Sequence, residues 1–343
     1  MDVIDLGMRA FLINRILWMA LVLVGLSLIT FFLAFVVPAD PARYFAGPHA
    51  TNAQVEALKR QFGLDRPPYE QYLLYVWRLF HGDLGLALHT RSPVLEDLAV
   101  RVPATMELAI VSIIIGTFVG VFVGVISAIK KDTVIDVIAR VFSLGGVALP
   151  GFFLALIMQY IFYSQLSWFP AGGRIDTDIP LQQITGLNLL DSLLTLNLPA
   201  FLSSLQHVVL PALCLSYISL ATIARVTRSS MLEVLSQDYI KAARSKGLSN
   251  FVVIYKHALR NALIPTSTVI GLTFGNILGG AVLIEFVFRW PGLGMYVTDS
   301  FLTVDFAAIM GTTLLIVLIY LIVNLCVDVL YSVIDPRVNV MQK

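Results

Sequence analysis

Six long apolar stretches without Asp, Glu, Lys or Arg run through this chain of 343 residues. A helix needs about 20 apolar residues to cross the hydrocarbon core of a bilayer. Two of the stretches exceed that length and are trimmed, because residues 172–180 between them are polar and turn-rich. We predict an all-α membrane protein with six transmembrane helices, at residues 16–39, 108–129, 141–165, 206–226, 261–284 and 306–327.

The composition agrees with a membrane protein. Of all residues, 58% are hydrophobic and 13% are charged, and the mean hydropathy is +0.84, whereas a soluble domain carries about 25% charged residues. The net charge of +1 gives no indication of nucleic acid as a partner, and none is expected. Cys214 and Cys326 lie in apolar stretches without CxxC spacing, so we expect both to be small core residues. The first apolar stretch exceeds the about 7–15 residues of a signal-peptide core, so we expect it to stay on the chain.

Lysine and arginine in the short loops predict the orientation in the membrane. Basic residues precede span 1 and follow spans 2, 4 and 6, whereas residues 166–205 and 285–305 carry one each, Arg174 and Arg289. The longer segment 40–104 has several basic residues, but long translocated segments escape this rule. We therefore expect both termini in the cytoplasm, and these three segments outside it.

The outer segment 40–104 contains two helical patterns. Residues 54–64 place Val55, Leu58 and Phe62 on one helical face, and residues 66–82 continue with regularly spaced aromatic and aliphatic side chains after a Pro-Pro start. The segment can be a small cap packed on the spans or a docking surface for an extracytoplasmic partner, and the two interpretations are compatible.

The inner segment 227–261 is basic and is broken at Gly247. We predict a first helix that begins within residues 227–240 and continues to Lys246, and that ends because glycine tolerates the left-handed conformation. Ala242 and Ala243 leave one patch of this helix nearly bare, which lets another surface approach closely.

A second helix is expected after Ser249, which can cap it. Its apolar face comprises residues at positions i, i+3, i+4 and i+7, namely Phe251, Ile254, Tyr255 and Ala258. Such a pair of helices is continuous with spans 4 and 5, so it could transmit the movement of a cytoplasmic partner to these spans. It also suits an amphipathic hairpin on lipid headgroups, and the pattern alone does not decide between the two.

Known catalytic patterns are missing. The chain has no GxxxxGK[ST] phosphate loop, no HExxH and no GxSxG, and its histidines lack metal-ligand spacing. We therefore predict no catalytic residue and no metal site, and a membrane-embedded enzyme is disfavoured. Uncharged spans also disfavour a stand-alone channel or an ion-coupled secondary carrier. The amides Gln159 and Asn276 are candidates for a translocation path, although for each amide taken singly we favour a hydrogen bond between packed helices, because uncharged amides form such bonds readily.

The inner segment resembles the EAA loop of ABC-importer permeases, EAA-x3-G-x9-I-x-L-P. Ala242, Ala243 and Gly247 match at the right spacing, Lys241 replaces the leading Glu, and of the final residues only Leu259 fits. The sequence DYIKAARSKGL…HALRNALIP resembles the form that this loop takes in the dipeptide/oligopeptide/nickel branch of these permeases. Similar stretches occur along nearly the whole chain: PADPAR (38–43), FGLDRPPYEQY (62–72), GDLG (82–85), RVPATMELA (101–109), ARVTRSSMLEVL (224–235), FRWPGLG (288–294) and VDVLYSVIDPR (327–337).

The resemblance implies a type I ABC-importer permease fold with an extracytoplasmic helical segment between helices 1 and 2. The implied segments are a cytoplasmic N-terminal part (1–15), transmembrane helix 1 (16–39), the extracytoplasmic segment (40–104) and a core (105–343) with the coupling loop 227–261. The implied location is the bacterial inner membrane.

The implied partners are a second homologous permease, two cytoplasmic ATPases, an extracytoplasmic binding protein and the lipid bilayer. ATP and Mg would be bound by the ATPases, so no cofactor is expected in this chain. The implied substrate is a short peptide, with dipeptides favoured and nickel chelates, haem or glutathione-like peptides as alternatives.

The resemblance also assigns candidate residues. For contact with the ATPases, they are Tyr239, Ala242, Ala243, Arg244, Gly247 and Leu248. For outer-loop or receptor contact, they are Tyr69, Tyr72, Trp290, Pro291, Gly292 and Gly294, where a purely structural tight loop is the alternative for the last three.

Overall fold

A computed structural model describes residues 2–36, 41–47, 50–62 and 66–334 of the chain. Every regular element within these ranges is a helix, and the one isolated backbone bridge found there pairs Leu86 with Pro93. The predicted all-α architecture is confirmed. The chain divides into two compact units, residues 1–104 with 291–322, and residues 105–290 with 323–343.

The first unit contains the N-terminal helix, the segment after it and part of the C-terminal region. Its helices are α1 (Asp2–Phe31, continued by a π-helical turn at Phe32–Val36), α2 (Pro41–Ala46), α3 (Asn52–Phe62), α4 (Pro68–Phe80), the start of α5 (Val94–Ile129), α12 (Leu293–Leu302) and most of α13 (Phe306–Ile334). The two helices predicted after span 1 are thus confirmed as α3 and α4.

Local chemistry explains where α3 and α4 begin. Thr51 and Gln54 form a reciprocal capping box, with the N–H of Thr51 donating to the side-chain oxygen of Gln54 (2.8 Å) and the N–H of Gln54 donating to the Thr51 hydroxyl (3.3 Å). Pro68 is the first residue of α4, where its missing N–H costs no hydrogen bond. Val55 is buried as expected, whereas the side chains of Leu58 and Phe62 lie outside the described residues.

Two tyrosines attach α4 to α1. The hydroxyl of Tyr72 lies 2.9 Å from that of Ser27, and the Tyr75 hydroxyl lies 3.5 Å from that of Thr30, while both rings contact Phe31. The residues of α4 that point away from α1 include Tyr69, Leu73 and Phe80, whose side chains are exposed. The outer segment therefore contains a cap packed on span 1 and, on α4, an open apolar face.

The second unit contains most of the helices predicted to cross the membrane. Its described helices are the rest of α5, α6 (Val134–Ala148), α7 (Gly151–Met158, continued by a π-helix at Gln159–Gln165), α8 (Asn188–Leu194), α9 (Leu198–Leu235), α10 (Asp238–Ser245), a π-helix at Val252–Ala258, α11 (Leu259–Val287) and the end of α13. Helix α9 is the most buried of the candidate spans and packs against α6, α7, α8 and α11.

Close packing of α5 on α9 depends on glycine. A Cβ added at Gly124 would lie 2.7 Å from the backbone oxygen of Ala224 and from Cβ of Thr227, and one at Gly120 would lie 3.0 Å from Cβ of Ile223. Small residues allow helix backbones to approach closely in a membrane, where van der Waals packing replaces the hydrophobic effect as the main attraction between helices. These glycines therefore set the spacing between α5 and α9.

Five described helical stretches are long and apolar enough to cross a membrane: Leu12–Phe35, Val94–Ile129, Leu198–Leu235, Val252–Val287 and Phe306–Val329. They cover five of the six predicted spans, apart from the end of span 1, which falls outside the described residues at 37–39.

The predicted span 141–165 is not one continuous helix. It is divided between α6 and α7, because Leu149 adopts an extended backbone (φ −94°, ψ 128°) directly before Pro150. Proline disfavours the helical conformation in the residue that precedes it. The third predicted span is therefore broken into two helices, and among the described residues the other five predicted spans each fall on one long helical stretch.

The two cysteines differ from each other. Cys214 is buried in α9 as predicted, whereas Cys326 is exposed on α13, so the prediction of a core position is wrong for Cys326. An exposed apolar residue on a membrane-spanning helix is suited to contact with lipid or with another helix.

Candidate functional site

Helix α10 stands apart from the long helix before it. The helix predicted to begin within residues 227–240 and to continue to Lys246 is confirmed as α10, Asp238–Ser245, which is separate from α9 because α9 ends at Leu235. Between them Ser236 donates its hydroxyl to the carbonyl three residues earlier (2.7 Å), a local bond that competes with helix continuation, and Gln237 is extended. The segment 227–261 thus contains a separate helix of 8 residues.

Gly247 ends α10 as predicted. Its φ is +74°, and the N–H of Gly247 donates to the carbonyl of Arg244 (2.9 Å) while that of Leu248 donates to the carbonyl of Ala243 (3.4 Å). This pair of bonds is the Schellman arrangement that closes helices on a left-handed residue. Nothing lies within 4 Å of a Cβ added at Gly247, so glycine is favoured there by backbone conformation and not by space.

The two alanines of α10 lie on different faces. Ala242 is exposed together with Tyr239, Arg244 and Leu248, whereas Ala243 is 8% exposed. Ala243 and Ile240 belong to a buried cluster whose other members come from α5, α9, the π-helix and α11: Val125, Ala128, Met231, Val253, Ala258 and Ala262. The predicted single bare patch is therefore divided, with Ala242 facing outward and Ala243 anchoring α10.

The predicted apolar face of the next helix is only partly correct. Residues Val252–Ala258 are π-helical, which brings residues five apart onto one side, and the buried pair is Val253 and Ala258. Phe251 and Tyr255 are exposed instead, with ring centroids 4.7 Å apart. Ser249 caps the helix weakly, since its hydroxyl accepts from the N–H of Val252 at 3.4 Å.

An amide that the sequence did not single out ties α10 to α11. The side-chain N–H of Asn261 donates to the Tyr239 hydroxyl (2.7 Å) and to the carbonyl of His257 (3.3 Å). Both side chains are exposed, so this bond lies at the same surface as Ala242. A displacement of α10 therefore acts on α11 through this bond as well as through the buried cluster.

A buried ion pair lies at the ends of the helices that hold α10. The Arg228 guanidinium donates to both oxygens of Asp136 (2.8 Å each), Ser127 donates to the same carboxylate (2.5 Å), and so does the backbone N–H of Asp132 (3.1 Å). Asp136 is fully buried. The guanidinium holds the pKa of Asp136 well below its usual range, despite the opposing effect of burial. The ends of α5, α6 and α9 are thus joined by one carboxylate.

The path candidates differ in their surroundings. The amide of Gln159 donates to the carbonyls of Ala171 (2.6 Å) and Val287 (3.5 Å), which matches the packing alternative. Asn276 is exposed on α11. The structure does not join them by a contact, and their role in a path stays a prediction.

The outer-contact candidates also differ. Tyr69 is 66% exposed on α4, whereas the hydroxyl of Tyr72 is engaged with Ser27 of α1. Pro291 is exposed, and Gly292 and Gly294 are buried at the start of α12. Trp290 is buried, with the Arg174 guanidinium 5.5 Å from its ring centroid, so its side chain is not at the surface of this chain. Their role in receptor contact stays a prediction.

A second buried ion pair organises the segment before α9. Arg174 donates to one oxygen of Glu107 (2.5 Å) and to the carbonyl of Gly186 (2.8 Å), and the other Glu107 oxygen accepts from the N–H of Leu189 (2.7 Å). Asp191 closes the same loop by accepting three backbone N–H groups, those of residues 184–186. The sequence did not predict this network, because Glu107 stands just before the predicted span 108–129 and its partners Arg174 and Leu189 lie far away in the chain. Among the described residues, no group of three His, Cys, Asp or Glu could hold a metal ion.

Comparison with known proteins gives one family. The description binding-protein-dependent transport system inner membrane component matches residues 120–340, and that of the N-terminal part of such membrane components matches residues 8–109. The chain is 44% identical to a probable D,D-dipeptide transport system permease protein of Escherichia coli, over 94% of this chain and 95% of that protein.

Other relatives are similar over the same length. The chain is 41% identical to a dipeptide transport system permease protein of Alkalihalophilus pseudofirmus, over 97% of this chain and 100% of that protein. It is 35% identical to a glutathione transport system permease protein of Escherichia coli, over 97% and 99%. The crystal structure of an amino acid ABC transporter shares 16% identity and a TM-score of 0.45, over 69% of this chain and 91% of that one.

Proposed function

This chain belongs to the family of binding-protein-dependent transport system inner membrane components, and we propose that it forms half of the pathway by which an ATP-driven importer takes up short peptides, with dipeptides favoured. It is a multi-pass protein of the inner membrane. The substrate assignment is supported by the dipeptide relatives. The glutathione relative makes a glutathione-like peptide the main alternative.

The division of labour follows from what the chain carries. ATP and Mg would be bound and ATP hydrolysed by two cytoplasmic partner subunits, because this chain has no phosphate loop. A second, homologous permease would complete the pathway, and an extracytoplasmic binding protein would deliver the peptide. Both termini would lie in the cytoplasm, in agreement with the distribution of lysine and arginine.

The observation that carries this proposal is the two-sided character of α10. One side, with Ile240 and Ala243, is buried among helices that lead into the membrane, while the other, with Tyr239, Ala242 and Arg244, is open. Helix α10 is short, ends in a hydrogen-bonded cap at Gly247 and packs on its neighbours through its buried side. It can therefore transmit a movement of a cytoplasmic ATPase to α5, α9 and α11. We propose that the open side docks on the ATPase.

The test is a bulky charged substitution on the open side of α10. Ala242→Arg should insert and assemble its own fold normally, because residue 242 is exposed, yet we expect at least a tenfold loss of alanyl-alanine uptake and loss of co-purifying ATPase activity. Ala53→Arg, at an exposed alanine of α3 in the outer segment, is the matched control and should behave as wild type. Normal uptake by Ala242→Arg would contradict the docking role.

Uptake and co-purification of the wild-type chain test whether it is an importer subunit and which substrate it carries. A cell whose only peptide importer contains the wild-type chain should accumulate labelled alanyl-alanine against a gradient, and the purified chain should bring down a second permease and ATPase subunits. If the wild-type chain purifies alone from cells that still transport, it is a stand-alone carrier. If glutathione is taken up and alanyl-alanine is not, the substrate assignment changes to the alternative.

A further inference from the structure

A cavity of about 1050 Å³ lies within the unit of residues 1–104 and 291–322. Its walls come from α4, from the hairpin between α4 and α5, and from the first turns of α13, and its lining includes the charged and polar side chains of Gln71, Arg78, Asp83, His89 and Arg91. Pockets for small molecules enclose about 300–1,000 Å³. The cavity therefore has room for a peptide of two or three residues.

The hairpin wall is held rigidly. Gly85 (φ +88°) begins a turn that is closed by the bridge between Leu86 and Pro93, and the N–H of Ala87 donates to the carbonyl of Ser92 (2.9 Å). A Cβ added at Gly85 would lie 3.3 Å from Cβ of Ala307, so the turn sits directly on α13. Groups on this hairpin are thus held in place before any ligand arrives.

Asp305, the residue before α13, holds the rest of the hairpin. One of its carboxylate oxygens accepts from the N–H of Leu88 (2.5 Å) and lies 3.0 Å from Nδ1 of His89, and the other accepts from the N–H of Ala308 (3.2 Å). Asp305 is fully buried. Because this carboxylate is occupied by hairpin and helix groups, it does not compete for a ligand in the cavity.

Among the described residues, the lining of the cavity carries charges of both signs. Arg91 contributes a guanidinium group, and Asp83 contributes a carboxylate, one oxygen of which accepts from the N–H of Gly85 (3.0 Å). Among the described residues, the side chain of Arg91 has no hydrogen-bond or ion-pair partner. A guanidinium binds a carboxylate through two parallel hydrogen bonds. The lining is thus suited to a ligand that carries a carboxylate, with Asp83 available for a positive group at its other end.

We propose that this cavity is a binding site for the free carboxylate of a short peptide, occupied between release from the binding protein and entry into the membrane pathway. Arg91 binds the carboxylate, Asp83 faces the ammonium group, and the apolar side chains Leu84, Leu86 and Met310 contact the peptide side chains. This inference rests on the proposed function and on its orientation, which places the outer segment outside the cytoplasm.

The direct test measures peptide binding by the purified full transporter without the binding protein. We expect saturable binding of tritiated alanyl-alanine in lipid nanodiscs, at least fivefold weaker in Arg91→Gln. Arg66→Gln is the matched control, because Arg66 is an exposed arginine of the same segment that does not line the cavity. Unlabelled alanyl-alanine should compete, and alanyl-alanine amide should compete at least fivefold less well.

Three results would overturn the site: no saturable binding by wild type, equal binding by Arg91→Gln and wild type, or equal competition by the free peptide and its amide. These results are separate from a failure of the proposed function, which cellular uptake reports. If wild-type cells import alanyl-alanine and the purified transporter gives any of these three results, the importer stands and the carboxylate site falls. If wild type imports no peptide, the proposed function itself falls.

Discussion

At the scale of single residues, Arg228 illustrates how little a local pattern says about a side chain's role. In the sequence it is one more basic residue after span 4, and it supports only the prediction that this end of the span lies in the cytoplasm. In the structure it forms a two-point ion pair with the fully buried Asp136 and joins three helices. The partner could not be predicted, because it lies 92 positions away in the chain and the pairing requires α6 and α9 to meet.

Removing the arginine should be costly because a buried carboxylate loses its counter-ion. We expect Arg228→Gln to lower the free energy of unfolding by about 3–5 kcal/mol, the range for breaking a buried pair from one side. The double variant Asp136→Asn/Arg228→Gln should recover part of that loss. Arg140→Gln is the control, since Arg140 is half exposed and lies 3.7 Å from Asp136, and should cost about 0–1 kcal/mol. Denaturation in mild detergent measures all three.

The pH dependence of this pair has a definite sign. The pKa of Asp136 is depressed in the folded state, so its contribution to stability is complete above the carboxylate's ordinary pKa of about 4 and declines only as pH falls below that value. The stability difference between wild type and Asp136→Asn/Arg228→Gln, in which this titrating carboxylate is absent, should therefore be constant from about pH 5 to pH 8. A difference that vanishes within this interval would contradict the assigned ion pair.

At the scale of elements, the contact between α5 and α9 depends on the absence of side chains. Gly124 allows no Cβ without a contact of 2.7 Å to backbone and side-chain atoms of α9, whereas nothing lies within 4 Å of a Cβ added at Gly279 in α11. We expect Gly124→Ala to separate the two helices, to lower the melting temperature by several degrees and to reduce uptake. Gly279→Ala, the same change in an open helical position, should leave both unchanged. Equal behaviour of the two variants would show that close approach is not required.

Element boundaries show where sequence patterns succeed and where they fail. Helix α4 and the end of α10 were predictable, because Pro68 and Gly247 act through their own backbone preferences. The interruption at Pro150 uses the same kind of signal, but it stands inside an apolar run whose length favoured a continuous span. The π-helix at Val252–Ala258 leaves no comparable mark, since a helical wheel with 3.6 residues per turn cannot anticipate burial at a spacing of five.

At the scale of the whole molecule, the positions of five of the six predicted spans follow from apolar length, because a bilayer sets a minimum length for every spanning helix. The spacing of Ala242, Ala243 and Gly247 identified α10 as a candidate coupling helix. The sequence did not predict that Ala242 is open and Ala243 is buried, because this depends on how α10 packs on its neighbours. The cavity beside Arg91 was not predictable, since its described lining includes residues of α4, of the hairpin after it and of the start of α13, which only folding brings together.

The orientation of the chain is testable with single cysteines. In a background with Cys214→Ser and Cys326→Ser, Glu96→Cys should react with a membrane-impermeant maleimide in intact spheroplasts, and Ser245→Cys should react only in inside-out vesicles, because both positions are exposed and are predicted to lie on opposite sides. Alkylation after solubilisation shows that both thiols are reactive. Labelling of Ser245→Cys in sealed spheroplasts would place α10 outside, where no ATPase could reach it, and would contradict the coupling role together with the orientation.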